Sequence, residues 1–187
     1  SEVEEVIRRV RKLLKDAKDL NEEVKRRLKE LLDRVKRVSE KTKEDIKRLL
    51  EEVERVVRTK GGETEEVRRR IEDVVRKIRR LSEEIRRILE EVVRRAEELV
   101  RRLDELNRDI VRKVKKLAED VLRSTGEDTD LAERVRDVLR RVAEAAKELS
   151  KDTKRVLDEV KKAIDELLKD NKRTVEEVEK EAKKTLK

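Results

Sequence analysis

The sequence predicts an all-α fold, a single-chain up-down-up antiparallel three-helix bundle with long, nearly straight helices. Three observations carry this. Val, Leu and Ile recur at steps of three and four along almost all of the 187 residues. The three glycines fall at only two places, and no proline interrupts the stretches between them. Apolar recurrence at 3.6 residues marks an amphipathic helix, while glycine just past such a stretch marks its end.

The first helix is expected over about residues 2–60, with an inward ladder of Val6, Val10, Leu13, Ala17, Leu20, then Val24, Leu28, Leu31, Val35, Val38, then Thr42, Ile46, Leu49, Val53, Val56. It ends at Gly61 and Gly62, the αL cap signal, and Ser1-Glu-Val-Glu4 opens it with capping-box spacing. The second, about 65–124, starts after Thr64 with Glu65 and Glu66 in its first turn and ends before Gly126. Its ladder runs Val67, Ile71, Val74, Ile78, Leu81, Ile85, Leu89, Val92, Ala96, Leu99, Leu103, Asn107, Ile110, Val114, Leu117. The third, about 130–186, is expected to be capped by Asp130, with Glu133 completing the box. Its ladder includes Leu131, Leu149 and Leu167 beside Val142, Val160 and Val178. Each helix would be roughly 85–90 Å long at 1.5 Å per residue. Short turns between long helices make sequence neighbours antiparallel, so residues 1–187 are expected to form one domain.

The ladders have an 18-residue period, so that Val6, Val24 and Thr42 share one slot after every five helical turns. That is the natural 3.6 per turn, whereas a strict heptad imposes a left-handed supercoil and an 11-residue repeat a right-handed one. A second stripe (Leu14, Leu32, Leu50; Val75, Val93, Val111; Leu139, Leu157, Val175) widens each apolar face so that it can cover two neighbours. Outside it, Glu83→Arg87, Glu90→Arg94, Glu91→Arg95, Glu97→Arg101 and Glu98→Arg102 place acid before base at i→i+4. The charge runs therefore read as a solvated face.

Composition excludes most reactive chemistry. There is no His, Cys, Met, Pro or aromatic residue, so thiol and imidazole catalysis, disulfides and His- or Cys-ligated metals are ruled out. No cofactor and no catalytic, cofactor-binding or metal-ligating residue is expected. The chain holds 56 Lys and Arg against 48 Asp and Glu. The net +8 is spread as +5 over residues 1–60, +3 over 63–124 and zero over 127–187, without the gathered basic patch of a nucleic-acid binder. No apolar run reaches the roughly 20 residues of a membrane span, and no segment resembles a signal peptide.

Nine neutral polar residues away from the helix ends are the informative exceptions, and each occupies an apolar-stripe slot. Helices 1 and 2 should face each other where residue numbers add to about 125, and helices 2 and 3 where they add to about 254. The nine then fall into two layers, each drawing on all three helices. One holds Asn21, Asn107, Ser150 and Thr153; the other holds Ser39, Thr42, Ser82, Asn171 and Thr174. A buried amide or hydroxyl without a partner costs about 1–3 kcal/mol, so grouped polar residues satisfy one another and penalise any register that separates them. Ala17 and Ala146 leave room for the amides of the first layer. Separation from every charge favours a satisfied network over a small polar ligand site.

On these features the whole chain resembles de novo designed, parametrically generated three-helix bundles with computed buried hydrogen-bond networks. The resemblance implies a very stable scaffold without a natural substrate or natural location, soluble and cytoplasmic when expressed recombinantly. It also implies polar layers that set topology or partner choice. The absence of aromatic residues departs from many such designs. Other readings are weaker. Arg68-Arg-Arg70 and neighbouring arginines allow weak, nonspecific anion or nucleic-acid binding, but there are no aromatics for base stacking. Spectrin-like or lipid-binding bundles normally carry aromatic core or face residues, which this chain lacks. No partner is required: the expected state is a monomer without specific nucleic acid or membrane, the alternative being helix exchange or use as a heterotrimer.

Overall fold

A computed structural model describes residues 2–60, 65–125 and 129–185, with side chains at 4–59, 65–124 and 130–184. The described chain is entirely helical: α1 (Glu2–Lys60), α2 (Glu65–Thr125) and α3 (Thr129–Thr185). Gly61, Gly62 and Gly126, with the end residues Ser1 and Thr64, lie outside the described residues. Asp130 does not cap α3. The helix has already begun at Thr129, and Asp130 sits in its first turn, where a carboxylate still faces the positive end of the helix dipole.

Contacts gather the chain into two compact units, Ser1–Lys29 with Arg95–Glu159, and Glu30–Arg94 with Val160–Lys187. In the first, Val10, Val114 and Val142 meet as one core layer, one residue from each helix. A further layer joins Ala118, Val121 and Val135 with Val6 and Ile7 packed against it. Numbering that rises along α1 falls along α2 and rises again along α3, so α2 is antiparallel to its neighbours. In the second unit Ile46, Val74, Ile78 and Val178 form the equivalent layer, flanked by Leu49, Leu50 and Val53. These are mostly β-branched side chains, which hold one χ1 rotamer in a helix and lose little entropy on burial. Each fully buried Val, Ile or Leu contributes about 1.5–3 kcal/mol relative to exposure.

The ladder holds along α2 from Val67 to Leu117, all buried or half-buried, and the second stripe flanks it half-buried. Val38 breaks the expectation. It is 38% exposed, and the neighbouring Ser39 is buried in its place. The surface pairs also shift. Arg102 bonds Glu98 at 2.8 Å as spaced, but Glu83 accepts from Arg86 at 3.0 Å, at i→i+3. Steps of three and four are both neighbours on a helix surface, so the choice falls to side-chain rotamers.

Candidate functional site

The first polar layer lies within the first unit. Asn21 and Thr153 are fully buried and Asn107 nearly so, while Ser150 is half-buried. Ala17, one turn before Asn21, has a carbonyl oxygen 2.7 Å from Asn21 Nδ2. That contact fixes the amide orientation, because only the nitrogen can donate there. Oδ1 is thereby left as an acceptor, and the Thr153 hydroxyl donates to it at 2.8 Å. The second Asn21 N–H reaches Asn107 Oδ1 at 3.4 Å, and Asn107 Nδ2 in turn donates to Ser150 Oγ at 3.4 Å. Donation runs one way from α3 to α1, to α2, and back to α3. Bonds arranged head to tail polarise one another, so such a circuit gains from its own order. Thr153 Oγ1 also lies 3.0 Å from the Leu149 carbonyl of its own helix, and its single proton is contested between the two acceptors.

The second group lies in the other unit and is less connected. Asn171 Nδ2 donates to Ser82 Oγ at 3.0 Å and to the Ser82 carbonyl at 3.2 Å, joining α3 to α2. Thr174 donates to the Asp170 carbonyl at 2.9 Å, within its own helix. Ser39 and Thr42 are buried, yet among the described residues neither bonds to α2 or α3. The expected layer of three helices is, in its hydrogen bonds, a link between two. Ser39 and Thr42 are short and cannot span the gap that an Asn on α1 bridges in the first layer.

The first layer is not separate from every charge. Asp104, three residues before Asn107, keeps a side chain only 17% exposed; its Oδ2 lies 3.7 Å from Lys154 Nζ. Its Oδ1 is buried and has no hydrogen-bond partner. Asp104, Asn107 and Ser150 line an open groove of about 610 Å³ between α2 and α3, floored by Val111, Ala143 and Ala146. Nothing in the helical spacing marks Asp104 as anything but one more surface acid; the repeat offers one clue, because Leu122 occupies its slot one period later.

Several cross-helix ion pairs have no counterpart among the sequence expectations, and two of them repeat one another. Lys25 Nζ lies 2.5 Å from Asp152 Oδ2 in the first unit, and Lys43 Nζ 2.7 Å from Asp170 Oδ2 in the second. Each joins residues 127 apart, and the second pair is the first moved on by one period of the repeat. The bond from Lys25 holds the Asp152 carboxyl below its ordinary range, and bonds from Asp152 and then Glu22 push the Lys25 ammonium up. Lys43 lowers Asp170 in the same way. The signal was present in the matching spacing of Lys25 and Lys43 with Asp152 and Asp170.

Among the described residues no cluster of His, Cys, Asp and Glu could hold a metal ion, and no helix is long and apolar enough to cross a membrane. The chain matches no family model and no curated protein. Among solved structures it is similar to one described as a computationally designed three helix bundle, with 23% identity, a TM-score of 0.68, and coverage of 99% of this chain and 89% of that one. The fold is a three-helix bundle. Within it, the polar layers interrupt an otherwise aliphatic bundle core.

Proposed function

We propose that residues 1–187 are a designed structural scaffold forming a single bundle domain, with no catalytic role. In this reading the first polar layer sets helix register. The one-way donor circuit Thr153→Asn21→Asn107→Ser150 carries it, because each helix both gives to and receives from a different neighbour. Displacing any one helix by a turn leaves at least one buried amide group without a partner, a cost of about 1–3 kcal/mol against each wrong register. The regular period shared by all three helices and the likeness to a computationally designed three helix bundle support a designed origin. The scaffold acts as a monomer of 22.3 kDa.

Asn107→Leu tests the register role. Asn21 keeps its bonds to the Ala17 carbonyl and to Thr153, but its second N–H loses the Asn107 oxygen, and Ser150, half-buried at the groove, loses a donor. Stability against guanidinium should hold to within about 1 kcal/mol, because the apolar burial of Leu, about 1.5–3 kcal/mol, offsets the orphaned Asn21 N–H, about 1–3 kcal/mol. Uniqueness should fall, seen as broadened or doubled amide resonances around residues 103–111. A sharp loss of folding would make the amide a stability element, and unchanged spectra would remove its role in register. Sedimentation equilibrium giving a dimer mass would favour helix exchange instead.

A further inference from the structure

We propose that the α2–α3 groove over the first polar layer binds a small amphipathic organic anion, an aromatic sulfonate or carboxylate, with its head held between Arg108 and Lys147. The groove is built into the sequence. Ala146 and Ser150 stand in slots that Ile164 and Leu168 fill one repeat later on α3. Asn107 cannot fill the space, because its amide is turned to Asn21 and Ser150. At about 610 Å³ the groove is in the size range of small-molecule sites, with an apolar floor suited to a ring.

Charge selects the ligand. Of the cations lining the groove, Arg112 is paired with Asp109 at 3.3 Å and Arg140 with Asp137 at 2.6 Å, while Lys154 lies by Asp104. Arg108 and Lys147 are left without an ion pair or hydrogen bond among the described residues. Their numbers add to 255, close to the 257 of the bonded Asn107 and Ser150, so they stand at one level on opposite walls. Glu144, one turn before Lys147, and Asp104, one turn before Arg108 with Lys154 by its Oδ2, are the acids the head must avoid, which keeps the head between the two cations. Another α2–α3 groove, in the second unit, provides the contrast: at about 480 Å³ its walls are tied by Arg79 and Glu179 at 2.7 Å.

Titration of the full chain with 8-anilinonaphthalene-1-sulfonate tests this. One dye per chain is expected, with affinity falling as salt rises. Replacing both cations (Arg108→Gln with Lys147→Gln) should weaken binding about tenfold, the weight of two exposed charge contacts. The matched change at the other groove, Arg76→Gln with Lys183→Gln, should leave binding unchanged, and the neutral analogue N-phenyl-1-naphthylamine should bind at least about tenfold more weakly than the anion. Equal weakening by both pairs, no effect of either, several dyes per chain, or equal affinity for the neutral analogue would overturn the proposal.

Discussion

Thr153→Val puts the strongest demand on the polar layer. The two side chains have nearly the same shape, so the change removes one hydroxyl and little packing. If that hydroxyl donates to Asn21 Oδ1, as the 2.8 Å separation indicates, the substitution leaves a fully buried carbonyl oxygen without a partner. The cost of such an orphan is about 1–3 kcal/mol, and the added methyl returns at most about 0.8 kcal/mol. A net loss of about 0.2–2.2 kcal/mol follows, or up to about 9 °C in midpoint for a chain of this size. With no aromatic residue to report by fluorescence, guanidinium unfolding followed by far-UV circular dichroism is the assay. Thr174→Val is the control, because its hydroxyl donates only within its own helix to the Asp170 carbonyl at 2.9 Å. If Thr153→Val were as stable as both wild type and that control, or more stable, the proton would belong to the Leu149 carbonyl and the circuit reasoning would fail.

Three further outcomes are expected. Leu28→Ala, at a fully buried position, should cost about 2–5 kcal/mol in the same assay, since surrounding side chains relax only partly over the lost volume. Asp152→Asn should cost at most about 1 kcal/mol near neutral pH, because both partners are partly solvated. Its pH dependence has a definite sign: the lowered carboxyl stabilises above its ordinary 3.8 and loses that as pH falls, and the raised Lys25 stabilises below its ordinary 10.5 and loses that as pH rises. The gap between wild type and variant in denaturant midpoint should therefore close at both extremes. Ser82→Ala should cost about 0.5 kcal/mol or less, because Asn171 retains the main-chain oxygen, and a larger drop in midpoint would show that the hydroxyl bond dominates.

The helices and their inward faces were legible because a regular repeat states the same angle over and over, from Val67 through Leu117 without a miss. Register was legible to within a turn. Counting from the turns places residue 104 opposite Asn21, but the partner is Asn107 and residue 104 is an aspartate on the groove wall. Counting finds the level, while the helical angle decides which side chain at that level points inward. Val38 departs from expectation for the same reason: Ser39 shares the inward slot of Asn21 one period on, and Val38 stands about 100° away from it. The bonds of the second layer were not legible, because spacing shows which polar residues share a level and not whether short hydroxyls can reach across it. Cross-helix ion pairs were hidden among many equivalent charges.

The repeated ion pair has a consequence for how the bundle measures itself. On α1 the slots of Asn21 and Lys25 recur one period later as Ser39 and Lys43, and on α3 those of Asp152 and Thr153 recur as Asp170 and Asn171. Those two helices are rulers graduated at the same interval, and sliding one by a full graduation would set Lys25 against Asp170 and Asn21 against Asn171, another acceptable match. On α2 the marks are Ser82 and Asn107, a spacing that is no multiple of that period, while one repeat before Asn107 stands Leu89 and one repeat after Ser82 stands Val100. The middle helix is a vernier scale, whose different spacing lets the reading coincide at only one setting. If the polar layers set register, α1 and α3 as separate peptides would pair in two registers, and α2 would make the alignment single-valued.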